Sequence, residues 1–348
     1  MASPGTSGLL LLNLGTPRSP ATSDVRDYLR EFLSDPYVLD IPAPVRWLLL
    51  NLIILPFRAS RSAHAYRQIW SDRGSPLLVH SEELRGKVAE RLGGDVAVEL
   101  AMRYGEPAIA EALARLREQG VSDLCVFPLY PQHSSAATES SVEAVRSAAT
   151  GSGLTMSVAP AFFDHPRFIE AVAEAARPTL DATEPQRVVF SFHGLPERQV
   201  RKADASGRCF TAADCCLGGD DARIDCYRAQ CFATAQAVGD ALAIPEEQRM
   251  VAFQSRFGRE RWIRPHTDRV LAELAREGFR RVAVIMPGFV ADCLETLEEI
   301  GIRGAATFRK HGGVELSLAP CVNASDLWAD AVVAIARESN PGMDSIQG

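Results

Sequence analysis

Eight short apolar runs alternate along the chain with amphipathic stretches of helical period, and this alternation limits the fold more than any other feature. The runs cover 9–14, 96–102, 124–130, 156–159, 188–192, 250–254, 282–286 and 314–318. Helical patterns fall between them, as at 108–119, 167–177, 267–276 and 326–337. A strand must find its backbone partners in neighbouring strands, and strands separated by whole helices pair in parallel rather than as hairpins. Runs with no polar alternation suit strands buried on both faces. The pattern therefore predicts an α/β protein with parallel sheets covered by helices on both sides.

A weak internal repeat sharpens this expectation. Residues 110–120 lead into the strand 124–127 and Pro128, and residues 269–278 lead into 282–286 and Pro287. In each copy a helix ends at glycine, a strand follows, and a proline opens the next loop. Two copies of one doubly wound unit account for the duplication, with a cleft between them. In such sheets ligands gather outside the carboxyl ends of the strands. The informative loops then start at Asn13, Arg103, Pro128, His193, Ser255 and Pro287. The expected domains are 1–165 and 166–324, with a C-terminal helix in 325–348 packing back on the first.

Composition excludes some classes. Of 348 residues, 47% are hydrophobic and 23% charged, which describes a folded globular chain and not a disordered one. A net charge of −7 argues against a nucleic-acid partner, whose phosphates call for a basic face. The first residues lack the basic region and long apolar core of a signal peptide. A cytoplasmic location is expected, and there clustered cysteines point to metal or redox chemistry rather than to structural disulfides.

Five of the eight cysteines, Cys209, Cys215, Cys216, Cys226 and Cys231, lie close together. They follow directly on Ser191-Phe192-His193-Gly194-Leu195-Pro196. Thiolates bind zinc or iron–sulfur clusters, whereas an imidazole at a strand end suits proton transfer or a harder metal. Gly194 and Pro196 fix a tight turn beside His193. A second cluster is Asp292-Cys293-Leu294-Glu295-Thr296-Leu297-Glu298-Glu299. Asp292 is placed to cap a helix with Glu295 three residues on. Glu295 and Glu299 share one face, either as an ordinary acidic first turn or as a rail for cations and protons. The stretch 47–55, Trp-Leu-Leu-Leu-Asn-Leu-Ile-Ile-Leu, is too short to span a bilayer, which takes roughly 20 apolar residues. It reads as a buried helix or as an exposed apolar lip. No Walker loop, GxGxxG or HExxH occurs.

In order and spacing these motifs resemble the ferrochelatases. The match runs from Leu10-Leu11-Leu12-Asn13-Leu14-Gly15-Thr16-Pro17 through Tyr28-Leu29-Arg30-Glu31-Phe32-Leu33 and Arg73-Gly74-Ser75-Pro76-Leu77. It continues through Met102-Arg103-Tyr104, Pro128-Leu129-Tyr130-Pro131-Gln132, the His193 motif, Phe253-Gln254-Ser255-Arg256 and the segment from Asp292 to Leu297. The resemblance implies two Rossmann-like domains and insertion of Fe²⁺ into protoporphyrin IX with release of two protons. It implies His193, Glu295 and Glu299 as catalytic residues, the first two in contact with the iron and Glu299 continuing the acidic face. Arg103, Tyr104 and Trp262 fall at porphyrin-pocket positions. The region 41–57 becomes an apolar lip, with 47–55 meeting the inner face of the membrane as a peripheral contact.

Two departures stand out. Cys293 replaces the histidine of animal-type members, and 203–231 is longer and richer in cysteine than the usual loop. That segment resembles the [2Fe–2S] site of some microbial ferrochelatases, held by four of the five cysteines, with Cys231 the odd one out. A zinc site is the alternative. Other readings are a coproporphyrin III ferrochelatase, a cobalt or nickel chelatase of a corrin-type precursor, and a non-enzymatic iron–sulfur sensor or solute-binding protein. Oligomeric state stays open.

Overall fold

Among the described residues eight parallel strands build two four-stranded sheets, one in each of two compact units. A computed structural model describes residues 6–204, 207–212, 214–216, 226–258 and 260–343. The first unit comprises residues 1–130, 135–160 and 328–348, the second 131–134 and 161–327. Parts of the expected cysteine-rich insertion, at 205–206, 213 and 217–225, lie outside the described residues.

The first sheet contains β1 (Thr6–Gly15), β2 (Val96–Tyr104), β3 (Val121–Pro128) and β4 (Thr155–Val158), in the order β2-β1-β3-β4. Its inner strand β1 carries Leu9, Leu10, Leu11 and Leu12, all fully buried. Four consecutive leucines point alternately to both faces of the sheet, so helices must cover both. One layer packs Leu10 and Leu12 against Ile109, Leu113 and Leu116 of the helix Ile109–Glu118. The C-terminal helix Asp326–Ser339 also belongs largely to this unit. Asp330 pairs with Arg91 at 2.5 Å, and beyond the helix Asn340 donates to Asp123 at 2.9 Å.

The second sheet contains β5 (Arg187–His193), β6 (Arg249–Gln254), β7 (Arg281–Ile285) and β8 (Glu315–Leu318), in the order β6-β5-β7-β8. The two orders are the same path through the sheet, so the internal repeat is structural. The helix Thr267–Arg276 buries Val270, Leu271, Leu274 and Ala275, one stripe at helical spacing, against Val189, Val282 and Val284. The repeat also runs further than helix and strand. Ser157-Val158-Ala159-Pro160 closes β4 as Ser317-Leu318-Ala319-Pro320 closes β8. A π-helix stands between the third and fourth strands in both units, Ser135–Glu139 in one and Leu294–Gly304 in the other. Such segments are rare and concentrate at functional sites.

The stretch 47–55 is helical and two-faced. The helix Ala43–Leu48 runs through a π-helix, Leu49–Ile54, into the helix Leu55–Ile69. Leu50, Ile54 and Leu55 are buried, while Val45, Trp47, Leu48, Leu52, Ile53 and Phe57 are exposed. Both expectations for this stretch thus hold, on opposite faces of one helix. No helix among the described residues is long and apolar enough to cross a membrane.

Candidate active site

His193 is the last residue of β5, paired in register with Gln254, the last residue of β6. The turn beyond it is fixed by contact. Gly194 donates its N–H to the Gln254 carbonyl at 2.7 Å, and a Cβ on Gly194 would lie 2.6 Å from that oxygen. No side chain fits there. Trp262 packs on the same turn, bridging to Pro196, and its indole Nε1 donates to the Phe257 carbonyl at 2.8 Å. His193 Nδ1 lies 2.7 Å from the Gly194 carbonyl. A carbonyl only accepts, so Nδ1 carries a proton and Nε2 is the nitrogen that can serve as base or metal ligand.

Gln254 joins this histidine to the acidic π-helix. Its Oε1 accepts from the fully buried Ser191 at 2.9 Å, and its Nε2 donates to the Glu295 backbone carbonyl at 2.9 Å. The helix start differs from the expected cap. Cys293, not Asp292, is the N-cap, and Thr296, not Glu295, closes the capping box, its Oγ1 accepting from the Cys293 N–H at 2.9 Å. Asp292 instead accepts from Asn323 Nδ2 at 2.8 Å and from Thr296 Oγ1 at 3.1 Å, tying the helix start to the loop after β8. The reason is that the helix starts one residue later than expected, at Leu294, which puts Cys293 at the cap and Thr296 three residues on. The carboxylate of Glu295 is thereby released from capping. Burial, and next the charge of Glu295, push the Cys293 thiol far up.

Glu299 holds the backbone beyond β6. Its carboxylate accepts the Ser255 N–H at 3.0 Å and the Ser255 hydroxyl at 2.5 Å. Ser255 has φ of 63°, a conformation that costs a non-glycine residue about 1–2 kcal/mol and that these bonds offset. Glu298, one position earlier, turns inward and pairs with Arg303 Nε through both oxygens at 2.9 Å.

In the first unit, Arg103 and Tyr104 end β2 around a buried Asp35. Asp35 Oδ2 accepts from Arg103 Nη2 at 2.5 Å, Tyr104 hydroxyl at 2.8 Å and Ser140 Oγ at 2.6 Å. Arg103 Nε donates to Ser140 at 2.8 Å. Tyr104 is 1% exposed, so it supports Arg103 from beneath. Burial pushes the Asp35 carboxyl up, but the bonds from Ser140, Tyr104 and the Tyr37 N–H, with the Arg103 charge, outweigh it and hold it below 3.8. A lowered folded-state value stabilises at neutral pH, and this stability is lost as pH falls through that value. Asp35→Asn is expected to destabilise the protein by about 3 kcal/mol at pH 7. The difference from the parent should shrink below pH 4, as read by urea unfolding at both pH values. A pH-independent difference would contradict this account of the hub.

The cysteine segment brings four sulfurs into a chain of contacts, with Cys226 between Cys209 and Cys216, and Cys215 beside Cys216. Cys209 Sγ lies 3.7 Å from Cys226 Sγ, and Cys215 Sγ 3.9 Å from Cys216 Sγ. Arg228 Nη1 reaches Cys216 Sγ at 2.8 Å. Cys226 is held low, as a thiolate, by hydrogen bonds from Cys209 and then Cys216. Those two are pushed up, first by the same bonds and then by burial. Thiols sharing protons at this range are the donor set that a soft metal deprotonates on binding. Among the described residues no three His, Cys, Asp or Glu side chains are gathered as for a metal ion. Cys231 stands apart, fully buried in the helix Tyr227–Ala241.

The family model described as "Ferrochelatase" matches residues 6–340. The chain belongs to the ferrochelatase family. It is 45% identical to a ferrochelatase of Coxiella burnetii (strain CbuG_Q212) over 332 residues, spanning 95% of this chain and 93% of that one. It is 46% identical over 325 residues to a ferrochelatase of Pseudomonas putida, spanning 92% and 95%. Among solved structures, SirB from Bacillus subtilis with Fe³⁺ superposes with a TM-score of 0.55 at 12% identity, covering 98% of both chains. The sirohydrochlorin chelatase SirB from Bacillus subtilis subspecies spizizenii in complex with cobalt does so with 0.51. At that identity the likeness is one of fold, two Rossmann-like domains.

As a member of the ferrochelatase family the protein is an enzyme, a metal chelatase of haem biosynthesis with iron and porphyrin as substrates. Around its predicted residues the structure adds several that motif reading passed over. Gln254 was legible as a strand-end polar residue, the position in β6 that His193 holds in β5. Asp35 gave no such signal, since an aspartate before a proline reads as a turn.

Proposed function

We propose that this ferrochelatase inserts Fe²⁺ into protoporphyrin IX, with His193 and Glu295 handling the metal and the two departing protons. The observation that carries the reading is the bond path from the His193 turn through Gln254 to the Glu295 backbone, with Nε2 of the imidazole left for chemistry and the Glu295 carboxylate beside the Cys293 thiol. A free-base porphyrin must lose two N–H protons as iron enters, and aqueous iron must shed water. His193 Nε2 takes a pyrrole proton or replaces one water ligand. Glu295 balances the metal charge, and Glu299, four residues on along the same helix, continues the acidic face while fixing Ser255. Trp262 offers an aromatic wall beside the His193 turn. Arg103 receives a porphyrin propionate through its guanidinium, and Tyr104 keeps it oriented.

Glu295→Gln keeps the shape and removes the charge. It is expected to lower kcat about 10²-fold while KM for porphyrin stays within about threefold. A large rise in KM with unchanged kcat would assign Glu295 to binding and sink its proposed role.

Cys209, Cys215, Cys216 and Cys226 are the proposed ligands of a [2Fe–2S] cluster, and Cys231 is not one. When bound, such a group supplies a one-electron couple and a covalent tie between distant positions of the segment. Anaerobically purified protein should be reddish-brown, with absorption bleached by dithionite, and Cys226→Ala should be colourless. Colourless parent protein carrying one zinc would reject the assignment. The exposed side chains of Trp47, Leu52, Ile53 and Phe57 form the proposed peripheral membrane contact, an apolar patch of the kind that folded surfaces seldom leave open to water.

A further inference from the structure

We propose that Tyr227 is a positioning residue for His193 and the link by which metal occupancy of the cysteine segment reaches the active site. The observation is a juxtaposition at one helix end. Cys226 is the N-cap of the helix Tyr227–Ala241, and Tyr227 is its first residue. The Tyr227 hydroxyl donates to the backbone carbonyl of His193 at 2.8 Å. That carbonyl belongs to the peptide entering the Gly194 turn, whose next N–H is held by the Gln254 carbonyl at 2.7 Å. The His193 peptide is thus gripped from two sides, by β6 and by the phenol.

The phenol is itself fixed. Its oxygen lies within hydrogen-bond reach of the buried Cys231 thiol, one turn along the same helix. This gives the fifth cysteine a task that needs no metal. Arg228, next in sequence, reaches Cys216 Sγ at 2.8 Å and the Arg264 carbonyl at 3.4 Å. Both neighbours of the Tyr227 ring in sequence are therefore tied to the cysteine segment, through Cys226 itself and through Arg228. A metal drawing Cys226 and Cys216 together fixes the helix N-terminus, and with it the phenol that holds His193. A one-ångström drift of a reacting group can cost up to about 10²-fold in rate, so a shift of this peptide is a kinetic lever.

The inference rests on His193 as the acting imidazole and on the four cysteines as iron ligands. Tyr227→Phe removes only the hydroxyl. Expected are a kcat lowered about tenfold, a porphyrin KM within about twofold, and unchanged visible absorption of the cluster. Backbone hydrogen exchange across residues 193–195 should rise. Stripping iron from the parent should raise the same exchange, and stripping it from Tyr227→Phe should raise it no further. The stripped parent supplies that comparison even where the variant folds poorly. Exchange at 193–195 that ignores both the hydroxyl and the iron would overturn the proposal, as would a colourless parent. If His193→Ala remained active, the reading of His193 would fail instead, whatever Tyr227→Phe does to the exchange.

Discussion

His193→Ala is expected to lower iron insertion by about 10²–10⁴-fold while leaving the fold and the cysteine segment intact. The ring's hydrogen bond goes to the carbonyl of its own turn, so its removal breaks no long-range bond. What it does remove is Nε2, the nitrogen that the Nδ1 bond leaves as base and ligand. Circular dichroism and the unfolding midpoint should match the parent. A purified variant that still made haem at a substantial fraction of the parent rate would end the assignment of this residue.

The second large effect is on stability. Gly15 ends β1 with φ of 113°, and a Cβ there would sit 1.8 Å from the Tyr104 carbonyl oxygen. Gly15 and Tyr104 are register partners, and Tyr28 donates its hydroxyl to the Gly15 carbonyl at 3.2 Å. Gly15→Ala therefore combines a forbidden backbone conformation with a clash against backbone that cannot yield without separating β1 from β2. A loss of about 4 kcal/mol or more is expected, lowering Tm by about 10 °C. Gly74→Ala separates the two causes. Its φ of 117° is equally unfavourable, but nothing lies within 4 Å of its Cβ position. That variant should lose only about 1–2 kcal/mol. Equal losses at both positions would show that the β1–β2 contact contributes nothing.

Much of the architecture was legible because strands buried on both faces have no polar positions. Leu9 to Leu12 and Val188 to Phe192 announce themselves as runs of apolar residues, and Gly120 and Gly278 mark helix ends by composition alone. Strand order was not legible from the runs, since parallel pairing leaves no trace in local periodicity. The π-helices were invisible for a related reason: an i→i+5 ladder imposes a period that α-helical reading does not look for. Asp292 looked like a cap because it precedes the helix with Glu295 three residues on, the same spacing by which Cys293 and Thr296 do the capping. The lip from Trp47 to Leu55 was ambiguous because both of its faces are apolar, and only burial separates Leu50 and Ile54 from Trp47 and Ile53. His193 and the Glu295 face were found as motifs. The residues that hold them, Gln254, Ser255 and Tyr227, depend on contacts across tens of residues that no spacing records.

Anaerobic iron insertion by the purified parent tests the central claim most directly. Fe²⁺ is offered with protoporphyrin IX and with coproporphyrin III, and in parallel cobalt is offered with a corrin-type precursor. The account predicts protohaem as the preferred product, with two protons released per metal inserted and activity lost in His193→Ala. Preference for coproporphyrin would overturn the substrate assigned here, and turnover of the corrin-type precursor alone would contradict the account as a whole.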